Sequence, residues 1–183
     1  MSTSEKPYHH GDLRAALIDA AETLLDAGGD ISLREAARLA GVSPTAAYRH
    51  FADKDALLAA LAVRGFREFG AALNEAAARD PAHELVARGR AYIRFALARP
   101  GRFRLMFGPL LSRAADHPEL HETSRRTFAA LESAAGDKDE ALRRWGLVHG
   151  LAHLLLDGAA GLDEAGDPDA LIDRLIPVPT AGA

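Results

Sequence analysis

Apolar positions along the chain recur three and four residues apart, the spacing of one helix face, and nowhere alternate as a half-buried strand would. After a polar arm at residues 1–10, Leu13, Leu17, Leu24 and Leu25 share a face with Ala20 and Ala21 between them, which predicts a helix from about Gly11 that stops at Gly28-Gly29. Ser32-Leu33-Arg34-Glu35 fits a capping box, with the Ser32 hydroxyl taking the Glu35 amide and Glu35 reaching back. The short helix it opens ends at Ala40, and Gly41 stands where a left-handed residue is wanted. Ser43 is a second N-cap, Pro44 takes the first helical place, and this helix runs to about His50. Asp53 caps a fourth helix with Leu57, Leu58 and Leu61 on one face, extending to about Arg79.

Asp80-Pro81 is a break. Leu85, Gly89, Tyr92, Ile93 and Ala96 then line one face of a helix that ends at Arg99-Pro100-Gly101. An apolar segment from Phe103 to Phe107 leads into a loop containing Pro109, Asp116 and Pro118. Further helices are expected at 118–135, 139–157 and 168–176, the last opened by Asp167-Pro168. The expected fold class is all-α. Composition agrees, since alanine and leucine dominate while β-branched and aromatic residues are sparse.

With no cysteine, the chain has no disulfide, thiolate nucleophile or cysteine zinc site. The first residues lack the apolar core of a signal peptide, and no run approaches the ~18 apolar residues of a membrane span, so a cytoplasmic protein with no membrane partner is expected. Net charge is −4, unlike a protein that coats nucleic acid nonspecifically. Residues 1–64 hold seven Lys/Arg against nine Asp/Glu, so DNA binding there needs a local basic surface.

The stretch Ser32 to Lys54 is the informative one. Two short helices joined by Gly41-Val42-Ser43 fit a helix-turn-helix, whose second helix would enter the major groove of double-stranded DNA, although any helical protein can contain two short capped helices. Ala36 and Ala37 are small enough for close crossing, and Val42 would plug the turn. Ser43 and Thr45 offer hydroxyls, Arg49 can reach guanine or phosphate, and Tyr48, His50 and Lys54 can donate to phosphates. His9 and His10 precede the first helix and are read as solvated.

Ile31-Ser32-Leu33-Arg34-Glu35-Ala36-Ala37, Gly41-Val42-Ser43, Tyr48-Arg49-His50-Phe51 and Asp53-Lys54-Asp55-Ala56-Leu57-Leu58 together resemble the N-terminal domain of the TetR/AcrR family of repressors. The resemblance implies an all-helical homodimer on a palindromic operator, with Tyr48, His50 and Lys54 on phosphates and Arg34, Pro44, Thr45, Ala46 and Arg49 at the bases. Ala46 and Ala47 hold the middle of the recognition helix, so direct readout leans on Thr45, Arg49 and Arg34. The expected domains are a helix-turn-helix at residues 10–60 and a helical dimerisation and effector-binding domain at 61–183.

The helix at 139–157 is apolar nearly all round, with Trp145, His149, Ala152 and Leu156 on one face and Leu147, Leu151 and Leu154 opposite. Gly146 and Gly150 form a small strip for a second helix, and Leu171, Leu175 and Ile176 could complete a four-helix interface with a second copy. Trp145-Gly146-Leu147-Val148-His149-Gly150 resembles the WHG type of TetR C-terminal domain. Tyr92, Phe95, Phe103, Met106, Phe107, Phe128, Trp145 and His149 are the candidate lining of a pocket for an unidentified small-molecule effector, although the same spacing serves an ordinary core.

His117/His121 and His149/His153 have the i, i+4 spacing of metal ligands, but the second pair lacks the glutamate of a zinc hydrolase, and no metal site or cofactor is expected. No nucleophile elbow, phosphate loop or dinucleotide glycine pattern occurs, and no catalytic residue is expected.

Overall fold

The structure, a computed structural model, describes residues 13–29, 31–159 and 168–176. The expected arm with His9 and His10 lies outside these residues. The described residues form helices and turns with no strand. The chain divides into two compact units between Leu61 and Ala62.

The N-terminal unit comprises α1 (Leu13–Asp26), α2 (Leu33–Leu39), α3 (Pro44–Tyr48) and the start of α4 (Lys54–Arg79). Local chemistry fixes each boundary. Ser32 Oγ accepts the Glu35 amide at 3.1 Å, and Ser43 Oγ accepts the Ala46 amide at 3.2 Å. Asp53 Oδ1 accepts the Ala56 amide at 2.8 Å. These are N-caps, each satisfying an amide that the first helical turn leaves without a carbonyl partner. The Glu35 carboxylate receives Arg38 Nε at 2.8 Å, one turn ahead on α2. At the end of α2 the Val42 amide donates to Ala37 O at 2.9 Å and the Gly41 amide to Arg38 O at 3.2 Å. This Schellman closure requires a left-handed residue, and Gly41 supplies it at φ +71°. Ala36, Ala37 and Ala47 are fully buried, so α1, α2 and α3 pack nearly backbone to backbone over Leu17, Leu33, Phe51 and Leu57. The Arg14 guanidinium lies 5.2 Å over the Phe51 ring.

The C-terminal unit continues along α4 and then holds α5 (Glu84–Ala98), α6 (Pro100–Met106), α7 (Pro109–Ser112), α8 (Pro118–Ala135), α9 (Lys138–Leu156) and α10 (Pro168–Leu175), with 3₁₀ turns at Pro81–His83 and Ala114–Asp116. Residues 100–117, expected as an apolar segment and a loop, are therefore mostly short helices. Pro100, Pro109 and Pro118 each occupy the first turn of the helix that follows. There the missing amide removes no intrahelical bond, so a proline that ends one helix also starts the next.

α6 lies close against α4 because residue 65 is glycine. A Cβ there would stand 2.6 Å from Met106 Sδ and 3.2 Å from Arg102 Cδ. Phe103 and Met106 are fully buried, and the buried Arg102 guanidinium pairs with Glu68. α10 is held on α5 by polar contacts: Arg90 Nε donates to Ile176 O at 3.2 Å, and Arg94 Nε donates to Asp169 Oδ1 at 2.5 Å. Leu171 and Ile172 are buried beneath them. Leu171 was expected at an interface between copies; its own chain already covers it.

Gly41→Ala isolates the backbone cost of the turn, because a Cβ there would meet nothing within 4 Å. The expected loss is about 1–2 kcal/mol of unfolding free energy, read by denaturant titration. An unchanged midpoint would mean that the turn is not strained by a side chain.

Candidate functional site

The buried side of α3 is a single residue, Ala47, and the rest of the helix faces outward. Pro44, Thr45, Tyr48 and Arg49 are exposed and Ala46 is half-buried. Tyr48 is 57% exposed, a large ring left in solvent with no apolar neighbour to cover it. Arg34 on α2, His50 after α3 and Lys54 at the start of α4 are exposed as well. Ser43 and Ser32 spend their oxygens as caps, which leaves each hydroxyl proton to donate. One short helix thus carries hydroxyl, phenol and guanidinium groups outward, with imidazole and ammonium groups on the residues that follow it. That inventory suits phosphates and base edges.

In the C-terminal unit, the Tyr92 hydroxyl is the junction of a buried polar network. Trp145 Nε1 donates to it at 3.1 Å, and His149 Nδ1 lies 2.7 Å away. Indole can only donate, so the Tyr92 oxygen accepts from Trp145, while the proton shared with His149 Nδ1 comes from the phenol or the ring according to the imidazole tautomer. Burial pushes the His149 pKa below its ordinary value, and the nearby His153 adds to this. Burial likewise holds the Tyr92 phenol well above its ordinary value, outweighing the opposing bond from Trp145.

Beside this network is a cavity of about 930 Å³ between α4, α5, α8 and α9. Tyr92, Phe107, Phe128 and Trp145 line it, as expected candidates. Phe95, Phe103, Met106 and His149 do not: Phe103 and Met106 are fully buried, Phe95 meets Phe69 edge to face at 5.1 Å, and His149 bonds Tyr92. Phe66 and Phe69 on α4 complete the aromatic wall, and Asn74 and Arg88 belong to the same lining. These four were missed. The signal for the two rings was available, since Phe66 and Phe69 continue the apolar stripe of Leu58 and Leu61 along the same helix.

α9 carries a second feature on its outer arc. Leu142, Leu147 and Leu154 are 52%, 55% and 47% exposed, and Gly146 and Gly150 have open space where a Cβ would point. Leu147 also borders the cavity, while Leu151 and Leu175 are half-buried. His117 is the N-cap of α8, outside helical φ/ψ, although its carbonyl accepts the His121 amide at 3.0 Å. His149 and His153 have ring centroids 4.7 Å apart, and among the described residues no third ligating side chain joins either pair. No helix of the described residues is long and apolar enough to cross a membrane.

Two family models match the chain. Residues 17–61 match the bacterial regulatory proteins of the tetR family, and residues 85–178 match the tetracyclin repressor-like C-terminal domain. The second alone covers half of the chain. The chain belongs to the TetR family. As a TetR-family protein it is a DNA-binding transcriptional regulator with a helix-turn-helix, in a family of regulators that are generally not enzymes. A solved structure from Rhodococcus sp. RHA1, described as a protein with unknown function, is 33% identical and superposes with a TM-score of 0.72, over 93% of this chain and 97% of that one. An uncharacterized HTH-type transcriptional regulator of Haemophilus influenzae is 53% identical over 47 residues, 24% of this chain and 23% of that relative's length. The solved structure of RolR in complex with resorcinol is 23% identical with a TM-score of 0.57, over 92% of this chain and 95% of that one, and shares the fold. The WHG spacing of this TetR chain acquires a physical basis: Trp145 and His149, four apart, place both rings on one side of α9, where the Tyr92 oxygen meets them.

Tyr92→Phe leaves the Trp145 indole and His149 Nδ1 without their shared partner, and should cost about 1–2 kcal/mol of stability. The pH dependence carries a sign. A histidine whose native pKa is depressed stabilises the fold fully above its ordinary value near 6.5, and that stability is lost as pH falls toward the native value. Unfolding free energy measured from neutral to mildly acidic pH should fall, and His149→Gln should flatten the fall. An equal slope in the variant would assign the pH dependence to other groups.

Proposed function

We propose that this TetR-family regulator is a repressor that grips a palindromic operator as a homodimer and is released by a small-molecule effector. The observation that carries the DNA reading is the outward set on α3 around one inward alanine, Ala47. In this reading Tyr48, His50 and Lys54 hold phosphates, Ser32 and Ser43 assist at the backbone, and Thr45, Arg49 and Arg34 address base edges. Pro44 and Ala46 offer only apolar contact. Base readout is thin, so operator shape contributes to preference.

The dimer is assigned to the outer arc of α9. Exposed leucines flanking two glycines offer apolar area and close approach at once, and a second copy of the same arc satisfies both. Two recognition helices then sit about one DNA turn apart, ~34–36 Å. The effector is assigned to the cavity beside Tyr92 and Trp145. It can act only through different affinities for two conformers of the dimer. The resorcinol complex of RolR, which shares the fold, supports a ligand role for this domain. A regulator that answers to no effector has no use for a cavity walled by aromatic rings, and among the described residues no third ligating side chain joins His149 and His153, which disfavours metal control. The site of action is the cytoplasm, with DNA and the effector as partners and no cofactor.

Selection of genomic fragments by the purified chain, followed by footprinting at fixed salt, tests this reading. The expected result is protection of two half-sites about 10 base pairs apart; sequence-blind binding alone would overturn it. Tyr48→Phe or Lys54→Ala should weaken binding to all sequences and reduce the salt slope by about one per lost phosphate contact. Arg49→Ala should in addition relax base preference, and an equal loss on every operator variant would make Arg49 a phosphate contact.

Leu154→Glu places a charge in the assigned interface. It should yield a folded monomer by sedimentation and circular dichroism, with operator affinity largely lost. A variant that stays dimeric would move the interface off α9.

A further inference from the structure

The cavity is not chemically neutral. Its lining includes six cations, Arg67, Arg88, Arg125, Arg126, Lys138 and Arg144, against one carboxylate, Glu132. Four of the arginines are paired, but with acids outside the wall: Arg67 with Glu119, Arg88 with Glu84, Arg126 with Glu122 and Arg144 with Glu140. Arg88 differs from the others in burial. Its side chain is 14% exposed, whereas those of Arg67, Arg126 and Arg144 are 64%, 77% and 45% exposed. Its Nε donates to Glu84 Oε1 at 2.9 Å, its second terminal nitrogen lies 2.8 Å from the same oxygen, and its first donates to Asn74 Oδ1 at 2.9 Å. A guanidinium has five N–H donors, so two remain, and the Asn74 amide adds its own.

Polar and aromatic parts of the wall are separated along α4 and α5. Asn74 meets Arg88, and Phe69 meets Tyr92 at 5.0 Å between ring centroids, so the two helices run antiparallel. From Arg88 to Tyr92 is one helical turn, and from Phe69 to Asn74 is slightly more, which sets head and rings about 6–8 Å apart along the helices.

We infer that the cavity selects anionic amphipaths, with an aromatic or aliphatic body against Phe66, Phe69, Tyr92 and Trp145 and a carboxylate received by Arg88 and Asn74. This rests on the cavity being the effector site. The half-buried guanidinium supplies charge-assisted hydrogen bonds that gain strength as the ligand excludes water. Aromatic walls also attract cations, but an ammonium head group placed beside Arg88 would meet N–H donors of like charge. The separation of head from rings matches an aryl group carrying a three- or four-carbon acid.

The chain's one tryptophan, Trp145, is part of the wall, so its fluorescence reports occupancy directly. The full chain is titrated with phenylbutyrate, phenylbutyramide and phenylbutylamine, then with decanoate, decanamide and decylamine, and retention of operator DNA is followed in parallel. Carboxylates should bind at least about tenfold more tightly than the isosteric amides, with the amines weakest. Arg88→Met should bring acid and amide to within about twofold of each other. Asn74→Leu should narrow the preference in part, and a thermal melt of each variant confirms folding. Amides or amines binding as tightly as acids, or an acid preference that survives Arg88→Met, overturns the anionic class; if those ligands still shift DNA affinity, the effector reading stands. If no compound of either set perturbs Trp145 or DNA retention, the effector reading falls with it.

Discussion

A phenol oxygen cannot be buried without partners, and the C-terminal unit is arranged around satisfying one. The Tyr92 hydroxyl sits where α5 and α9 pack, and α9 supplies two partners one turn apart, the Trp145 indole as donor and the His149 ring. Each of the three groups would be costly to leave unmatched in the interior. Together they fix the register of the two helices more narrowly than apolar contact does, because a slide of one turn would break both bonds. The inner face of α9 is thereby committed. Gly146, Gly150, Leu142, Leu147 and Leu154 fall on the outer arc, so the helix is apolar on two sides for two different reasons.

The parts of this fold that could be read from sequence are those decided within a few residues. Ser32, Ser43 and Asp53 cap as their spacing demands, and Gly41 closes α2, because each device uses only neighbouring backbone. Residues 100–117 were less legible, since proline marks a helix start as well as a stop and the sequence alone does not say which. The cavity was legible only in part. Helical spacing places Phe103 and Phe107 on similar faces, but α6 packed against α4 buries the first completely and leaves the second at the wall. Arg88 and Asn74 gave no sign of meeting, because their contact depends on the antiparallel run of two helices. Leu171 looked available to a partner for the same reason: what covers it, α5, is distant in sequence.

Net charge was a poor guide to the DNA-facing unit. Its acids outnumber its bases, yet Glu35 is engaged by Arg38 and Asp53 by a backbone amide, while Arg34, Arg49, His50 and Lys54 remain exposed around α3. What a phosphate meets is the local arrangement within a Debye length, about 8–10 Å, rather than the sum over the domain.

The division of labour on α3 bears on how such a regulator changes over generations. Only Ala47 is needed by the core, and the outward side chains contribute little to holding the fold together. Exposed substitutions of that kind typically shift stability by no more than about 0.5 kcal/mol. Under the proposed assignment of base readout to Thr45 and Arg49, lineages can exchange those two residues and acquire new target sites without passing through unfolded intermediates, provided residue 47 stays small. After gene duplication, two copies could diverge in the genes they control while keeping the same body.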